Sequence, residues 1–486
     1  MGARGKPCAA PVSISKKGAK PMAKARTPKA PAVDPGLAMF ESAQHLWGDS
    51  VVVDLNDIFK KLKGIPLRGN IPLQYVIGLD AVPVGRFFNV VGGWGVFKSS
   101  FCDYLGSLCI LHDGVYAIVE TENKVNPFQK ESIIRHYINM PEDREVWKRS
   151  MMFFKAPSIE KLLQYNLWIA QYVEKHLVGK NIPVLCVNDS LGNVDLQNNV
   201  DILRNVEKTL IAEARAKRRA DAGEDDDGKT GGVKGFSDAR KAAMISQNMK
   251  AFGGNNLDGH LLSFIMLNHQ KLKMLDPAQA VMQKGPPPTT ESGGEHQRFQ
   301  YSVILELHQG KKMGTTVDTT PTVNMRTKKS CFGSTGDRHI NVPFKSMWIG
   351  GETGKEDMYF DWDMALGMLL TDEKELTTVQ RNALKKLIPM SYNASCVTCP
   401  SLGLEDASKA ALGAAIHGSE ALSKAVQDIL MIRHIPTVGT LRTDRLLTDA
   451  QQEQARQKPH AAIPTSVEDL PDLPEAPSEL AGMAVL

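Results

Sequence analysis

No apolar run in the 486-residue chain approaches the roughly 20 residues a membrane-spanning helix needs, so no membrane partner is expected. The apolar stretch of a secretory leader is missing as well. Seven cysteines, at 8, 102, 109, 186, 331, 396 and 399, form neither an even nor a regularly spaced set. A disulfide framework is therefore not expected; reduced thiols in an intracellular setting are. An excess of one charge is lacking too: the net charge is +4 with 23% charged residues. Any nucleic-acid binding must come from local patches, not from the field of the whole chain.

What is present changes character along the chain. Residues 1–35 are rich in Ala, Pro, Lys and Gly with Asp34 the only acid, and are expected as a disordered basic arm. Residues 36–65 hold a helical pattern from Gly36 to Trp47 and the strand-like run Val51-Val52-Val53. The core is expected over 66–371, where apolar β-branched runs alternate with helical patterns. That alternation predicts an α/β fold with a mostly parallel central sheet flanked by helices. Five runs read as buried strands: Phe87-Val91, Val115-Glu120, Pro183-Asp189, Leu262-Asn268 and Tyr301-Leu307. Within 191–238 the glycine-rich polar stretch Gly223 to Gly235 predicts a mobile insertion, and 271–292 predicts a second loop. After the insertion, Ala242, Ile245, Met249 and Phe252 share one face of a predicted helix. Helical patterns at 373–389 and 404–432 predict a small separate domain over 372–450. From Gln451 on, six acids face two bases, and a disordered acidic tail is expected.

The first predicted strand runs into Gly92-Gly93-Trp94-Gly95-Val96-Phe97-Lys98-Ser99-Ser100 and then a helical pattern. This is the setting of a phosphate-binding loop. Backbone N–H groups curl round phosphates at a helix start, a lysine reaches the terminal phosphates, and a hydroxyl holds Mg²⁺. The G-x-x-x-x-G-K-[ST] pattern is broken at Phe97, where a glycine is usual. The next strand ends in Glu120 and Glu122, either of which could position a water against a phosphate. Asp189, at the tip of the third, suits Mg²⁺ together with Ser99. Asn268 and His269, at the tip of the fourth, could sense a terminal phosphate. Each residue alone has a plain structural alternative. Their order on successive strand tips points to one nucleotide site at the carboxyl ends of an open sheet.

In these segments the chain resembles the RecA family of recombinases, and most closely the RecA-type proteins of bacteriophages called UvsX. Ile71-Pro-Leu-Gln-Tyr-Val-Ile-Gly-Leu-Asp80 through Val84-Gly85-Arg86 is similar to the family's lead-in to its phosphate loop. Ala117-Ile-Val-Glu-Thr-Glu122, followed by Asn126-Pro127, resembles the segment carrying the catalytic glutamate, which falls on Glu122. Asp189-Ser190 sits where the family keeps its Mg²⁺-associated aspartate, and Asn268-His269 falls on its γ-phosphate sensor. Ala239 to Lys250 is similar to the helix after the first DNA-binding loop, and Thr289 to Gly294 to the end of the second.

The resemblance, over about residues 36–370, implies an ATP- and Mg²⁺-dependent protein that forms helical filaments on single-stranded DNA. Such filaments pair that strand with a homologous duplex, here in the cytoplasm of a phage-infected bacterium. It implies catalytic roles for Glu122, Lys98 and His269, and a second protomer reaching the nucleotide through Arg326, Lys328 or Lys329. DNA contact is implied for Lys234, Arg240, Lys271, Lys273, Lys284, Gly293 and Gly294. Polymerisation is implied through the 36–65 segment, with the Val51–Val53 strand added to a neighbour's sheet; Phe40-Glu-Ser-Ala43 also fits a short self-association pattern. Three features depart from the family: Phe97, a much longer first loop, and a second loop with Met274 and Met282 but no aromatic. Phe97 keeps open a rival reading, a DNA-binding filament protein of the same fold that hydrolyses little ATP. A hexameric helicase of the same fold fits the Thr289 to Gly294 loop end less well. Cys396-Val-Thr-Cys399 lacks a second ligand pair at zinc-site spacing.

Overall fold

A computed structural model describes residues 62–122, 124–139, 149–191, 260–272, 289–291, 297–314, 319–332, 338–349 and 355–448, and in addition Glu41, His45, residues 243–245 and Met249. The chain divides after Phe59; the sheet and the site belong to the unit beginning at Lys60. The expected basic arm, the Val51–Val53 strand, most of the insertion and the acidic tail lie outside the described residues.

The five predicted strands all form, with boundaries shifted by at most two residues except in the fourth, which runs on to Leu272, four residues past Asn268. The sheet contains β1 (Phe87–Gly92), β2 (Val115–Glu120), β3 (Met151–Lys155), β4 (Val184–Asp189), β5 (Leu262–Leu272), β6 (Val303–Gln309), β7 (Thr322–Ser330), β8 (His339–Ile349) and β9 (Lys355–Phe360). Their spatial order is β9-β8-β7-β6-β1-β5-β4-β2-β3. From β6 to β3 every pairing is parallel, whereas β7, β8 and β9 are added antiparallel. The protein is thus an α/β protein built on a large, mostly parallel sheet. Burial follows the period of two that a pleated strand imposes. Phe88, Val90, Ile118, Leu185, Val187, Ile265 and Leu267 enter one core, while Phe87, Val91, Ala117, Val119, Cys186, Phe264 and Met266 enter the other.

Helices cover both faces. On the first lie α1 (Ile71–Ile77), α2 (Lys98–Leu111) and α3 (Pro127–Tyr137); on the second lies α4 (Ile159–His176), with Ile245 and Met249 beside it. The expected one-face spacing of that pair is therefore seen. Helix α2 is buried all round except at Ser99, as befits the central helix of a layered domain.

The region expected as a separate C-terminal domain shares the first core: Leu384, Val397, Leu412 and Val426 pack in one cluster with Leu73 and Ile77. It is not purely helical either. After α5 (Trp362–Thr371), which ends the expected core, it holds α6 (Thr378–Leu387), α7 (Lys409–His417) and α8 (Glu420–Ile429), and with them a three-stranded sheet of residues 391–392, 396–399 and 404–408. The left-handed Gly403 (φ 67°) turns the chain between its last two strands, ending the helical pattern expected from 404. No helix among the described residues is long and apolar enough to cross a membrane.

Candidate active site

Register brings the predicted residues together. Gly92 on β1 stands opposite His269 on β5, and Glu120 on β2 stands opposite Asp189 on β4. Three parallel strands, β1, β4 and β2, therefore end beside His269 of β5, which runs on between them. They open into a cleft of about 380 Å³, lined among others by Trp94 to Ser100, Glu120, Glu122, Lys124, Asp189 and His269.

Gly92 is required by close approach, since a Cβ there would lie 2.4 Å from the Leu307 carbonyl oxygen. Gly95 turns the loop with φ +69°. Phe97 then adopts φ 58°, ψ 30°, the left-handed conformation a glycine would take with least strain. Its ring lies on Phe344 of β8, with centroids 4.0 Å apart and an interplanar angle of 25°. At this position the backbone follows the path a glycine would take, and the ring packs on the sheet. Helix α2 starts at Lys98 with no side-chain cap, which leaves its first N–H groups available to an anion.

The Lys98 ammonium donates to the carbonyls of Gly93 (2.6 Å) and Gly92 (3.2 Å) and lies 3.5 Å from His269 Nδ1. Burial pushes its pKa down, against the pull of Asp189 and Glu122. Ser99 Oγ donates to Asp189 Oδ2 at 2.6 Å. Burial raises the Asp189 pKa despite that hydrogen bond and nearby Lys130. A hydroxyl and a carboxylate converging there form the hard-oxygen set that suits Mg²⁺ shared with phosphates. No group of three or more His, Cys, Asp or Glu side chains among the described residues is placed to hold a metal alone.

The two glutamates separate. Glu120 is buried and accepts a hydrogen bond from the backbone N–H of Lys124, so it shapes the loop. Glu122 faces the cleft: Oε1 accepts from Ser190 Oγ at 2.5 Å and lies 3.4 Å from His269 Nε2, and Oε2 accepts from Lys124 at 2.9 Å. Burial works to raise its pKa, but the Ser190 and Lys124 hydrogen bonds outweigh it and the net direction is down. Glu122 is held as a carboxylate. Burial, helped by the Lys98 charge, lowers the pKa of His269, which favours a neutral imidazole.

Arg326, Lys328 and Lys329 lie on β7, and none lines this cleft. Lys328 pairs with Glu306 at 2.5 Å, Arg326 stands across the ladder from Glu306, and Lys329 donates to the Arg298 carbonyl at 2.7 Å. Strand β5 runs past His269 to Leu272 and pairs antiparallel with Thr289–Glu291, so the second predicted loop begins and ends on a ribbon leaving the site. Lys271 belongs to that ribbon; Lys234, Arg240, Lys273, Lys284, Gly293 and Gly294 lie outside the described residues.

Asp103, Gln129 and Lys130, and the contacts of the predicted Trp94, had no signal in the sequence. Lys130 and Asp103 form a buried pair at 2.8 and 3.1 Å, with Tyr116 donating to the same carboxylate at 2.9 Å. Gln129 donates to Ser100 at 3.2 Å, linking α3 to the start of α2. Trp94 stacks on His269 with centroids 4.3 Å apart, and the Lys124 ammonium lies 4.8 Å from the Trp94 ring. No family model matches the chain, and no curated protein matches it.

Proposed function

We propose that the chain is a RecA-like recombinase that binds ATP with Mg²⁺ in this cleft, polymerises on single-stranded DNA and pairs it with a homologous duplex. The observation that carries this reading is the convergence of Lys98, Ser99 with Asp189, Glu122 and His269 at four neighbouring parallel strands. The loop N–H groups and Lys98 would cradle the phosphates. Ser99 and Asp189 would hold Mg²⁺, which would supply charge neutralisation there. Glu122, already ionised, orients the attacking water, and neutral His269 contacts the terminal phosphate.

Because β5 carries both His269 and the ribbon to the second loop, occupancy of the cleft can bias that loop's DNA contacts. Self-association is favoured by the outer side of β3, which pairs with no other strand among the described residues. Beside it Phe153 and Trp168 are 51% and 48% exposed, a surface suited to an added strand such as Val51–Val53 of a neighbour. The left-handed Phe97, with its ring stacked on Phe344, favours an active loop over the weakly hydrolysing filament protein.

The test is negative-stain imaging of the full chain with single-stranded DNA and ATPγS, beside a steady-state ATPase assay. Nucleotide-dependent filaments and DNA-stimulated turnover support the reading. Rings support a helicase, and filaments without turnover support the rival.

A further inference from the structure

Trp94 stands out because an exposed indole is placed where the loop needs only backbone. It lies between Gly93 and Gly95, at neither of which a Cβ would meet anything within 4 Å. The indole is thus flanked by two glycines in an open stretch of the loop, and it stays 67% exposed. Its ring nevertheless lies flat on the imidazole of His269, 4.3 Å away and 18° from parallel. A closed circuit results: Trp94 on His269, His269 Nε2 3.4 Å from Glu122, Glu122 bound by Lys124 at 2.9 Å, and Lys124 4.8 Å from the Trp94 ring.

We propose that Trp94 is a specificity-determining residue that sets how the cleft discriminates nucleoside triphosphate from diphosphate. The proposal rests on the nucleotide reading above and deepens it. A phosphate-loop lysine reaches the terminal phosphates while the loop N–H groups hold those nearer the sugar. Here Lys98 is 3.5 Å from His269, so the terminal phosphate of a triphosphate that engages Lys98 arrives at the imidazole the indole covers. It must part the ring stack and draw Lys124 off the circuit. A diphosphate ends one phosphate short and leaves the stack in place. Stacked aromatic and cation–π contacts of this kind are together worth about five- to ten-fold in an equilibrium constant. Trp94 therefore weakens triphosphate binding selectively.

The experiment is displacement of mant-ADP from the full-length protein in Mg²⁺ buffer, by ADP and by ATPγS, for wild type, W94A, W94L and W94F. Removing the ring face in W94A and W94L is expected to tighten ATPγS about five-fold while ADP moves less than about two-fold. W94F keeps a stacking ring and is expected to stay near wild type for both. Equal shifts for the two nucleotides, or weaker ATPγS binding in both W94A and W94L, overturn the proposal. Wild-type protein that binds no mant-ADP overturns the nucleotide reading and this proposal with it, whereas binding with an unchanged ATPγS-to-ADP ratio overturns the Trp94 proposal alone.

Discussion

Replacing Phe97 by glycine and by alanine separates the strain in the loop from the packing that offsets it. Phe97 has φ 58°, a conformation that costs a non-glycine residue about 1–2 kcal/mol. Against this, its stack on Phe344 contributes about 0.5–1.5 kcal/mol, and partial burial of the ring adds about 1 kcal/mol. Phe97→Gly loses the ring contacts and recovers the strain, less about 0.5–1 kcal/mol for glycine's greater chain entropy. The net is a destabilisation of about 1 kcal/mol. Phe97→Ala loses the ring and keeps the strain, a cost of about 2 kcal/mol. For a domain of this size the thermal midpoint should fall by about 1 °C in the glycine variant and about 2.5 °C in the alanine variant. Stability then runs Phe, Gly, Ala, the reverse of the usual preference for alanine over glycine. Since the backbone already follows the left-handed path, Phe97→Gly should change ATP turnover by less than about two-fold. An alanine variant as stable as the glycine variant, or a glycine variant that turns over ATP many times faster, would refute the reasoning.

Glu122→Gln should keep nucleotide and DNA binding but slow hydrolysis by about a hundred-fold or more, measured by single-turnover ATPase; loss of mant-ADP binding would place Glu122 in a structural role instead. The raised pKa of Asp189 gives a pH signature. Its carboxylate takes up a proton at a higher pH than an ordinary aspartate, so Mg²⁺-dependent ATPγS affinity should weaken on acidification from above the usual aspartate range, and Asp189→Asn should flatten the profile. Glu122 has the opposite sign: its lowered pKa contributes stability present at neutral pH and lost as pH falls through the lowered value. Glu122→Gln should therefore blunt acid unfolding followed by circular dichroism.

The parallel half of the sheet was legible because its strands are continuous apolar runs ending in polar tips, and both properties are local. Strand β3 was not, because Met151–Lys155 is an edge strand with Phe153 and Lys155 exposed, and a five-residue run without clear turn signals carries little information. The three-stranded sheet at 391–408 was hidden by helical spacing around it, and Gly403 decides the local geometry. At the site, residue identities and their order on strand tips could be read, but their partners could not. Phe97 is explained by Phe344, and Trp94 by His269, contacts between distant parts of the chain that no local pattern encodes. The buried Lys130–Asp103 pair joins two helices, and nothing local to either one announces its partner on the other.

Steady-state ATPase of the wild-type protein with and without single-stranded DNA, beside Lys98→Ala, decides whether this cleft is a DNA-responsive ATPase. Turnover that rises about ten-fold or more on adding DNA and vanishes in Lys98→Ala is the predicted result. A wild-type protein with no DNA-stimulated turnover, or a Lys98→Ala variant that keeps it, would mean that the cleft is not such a site.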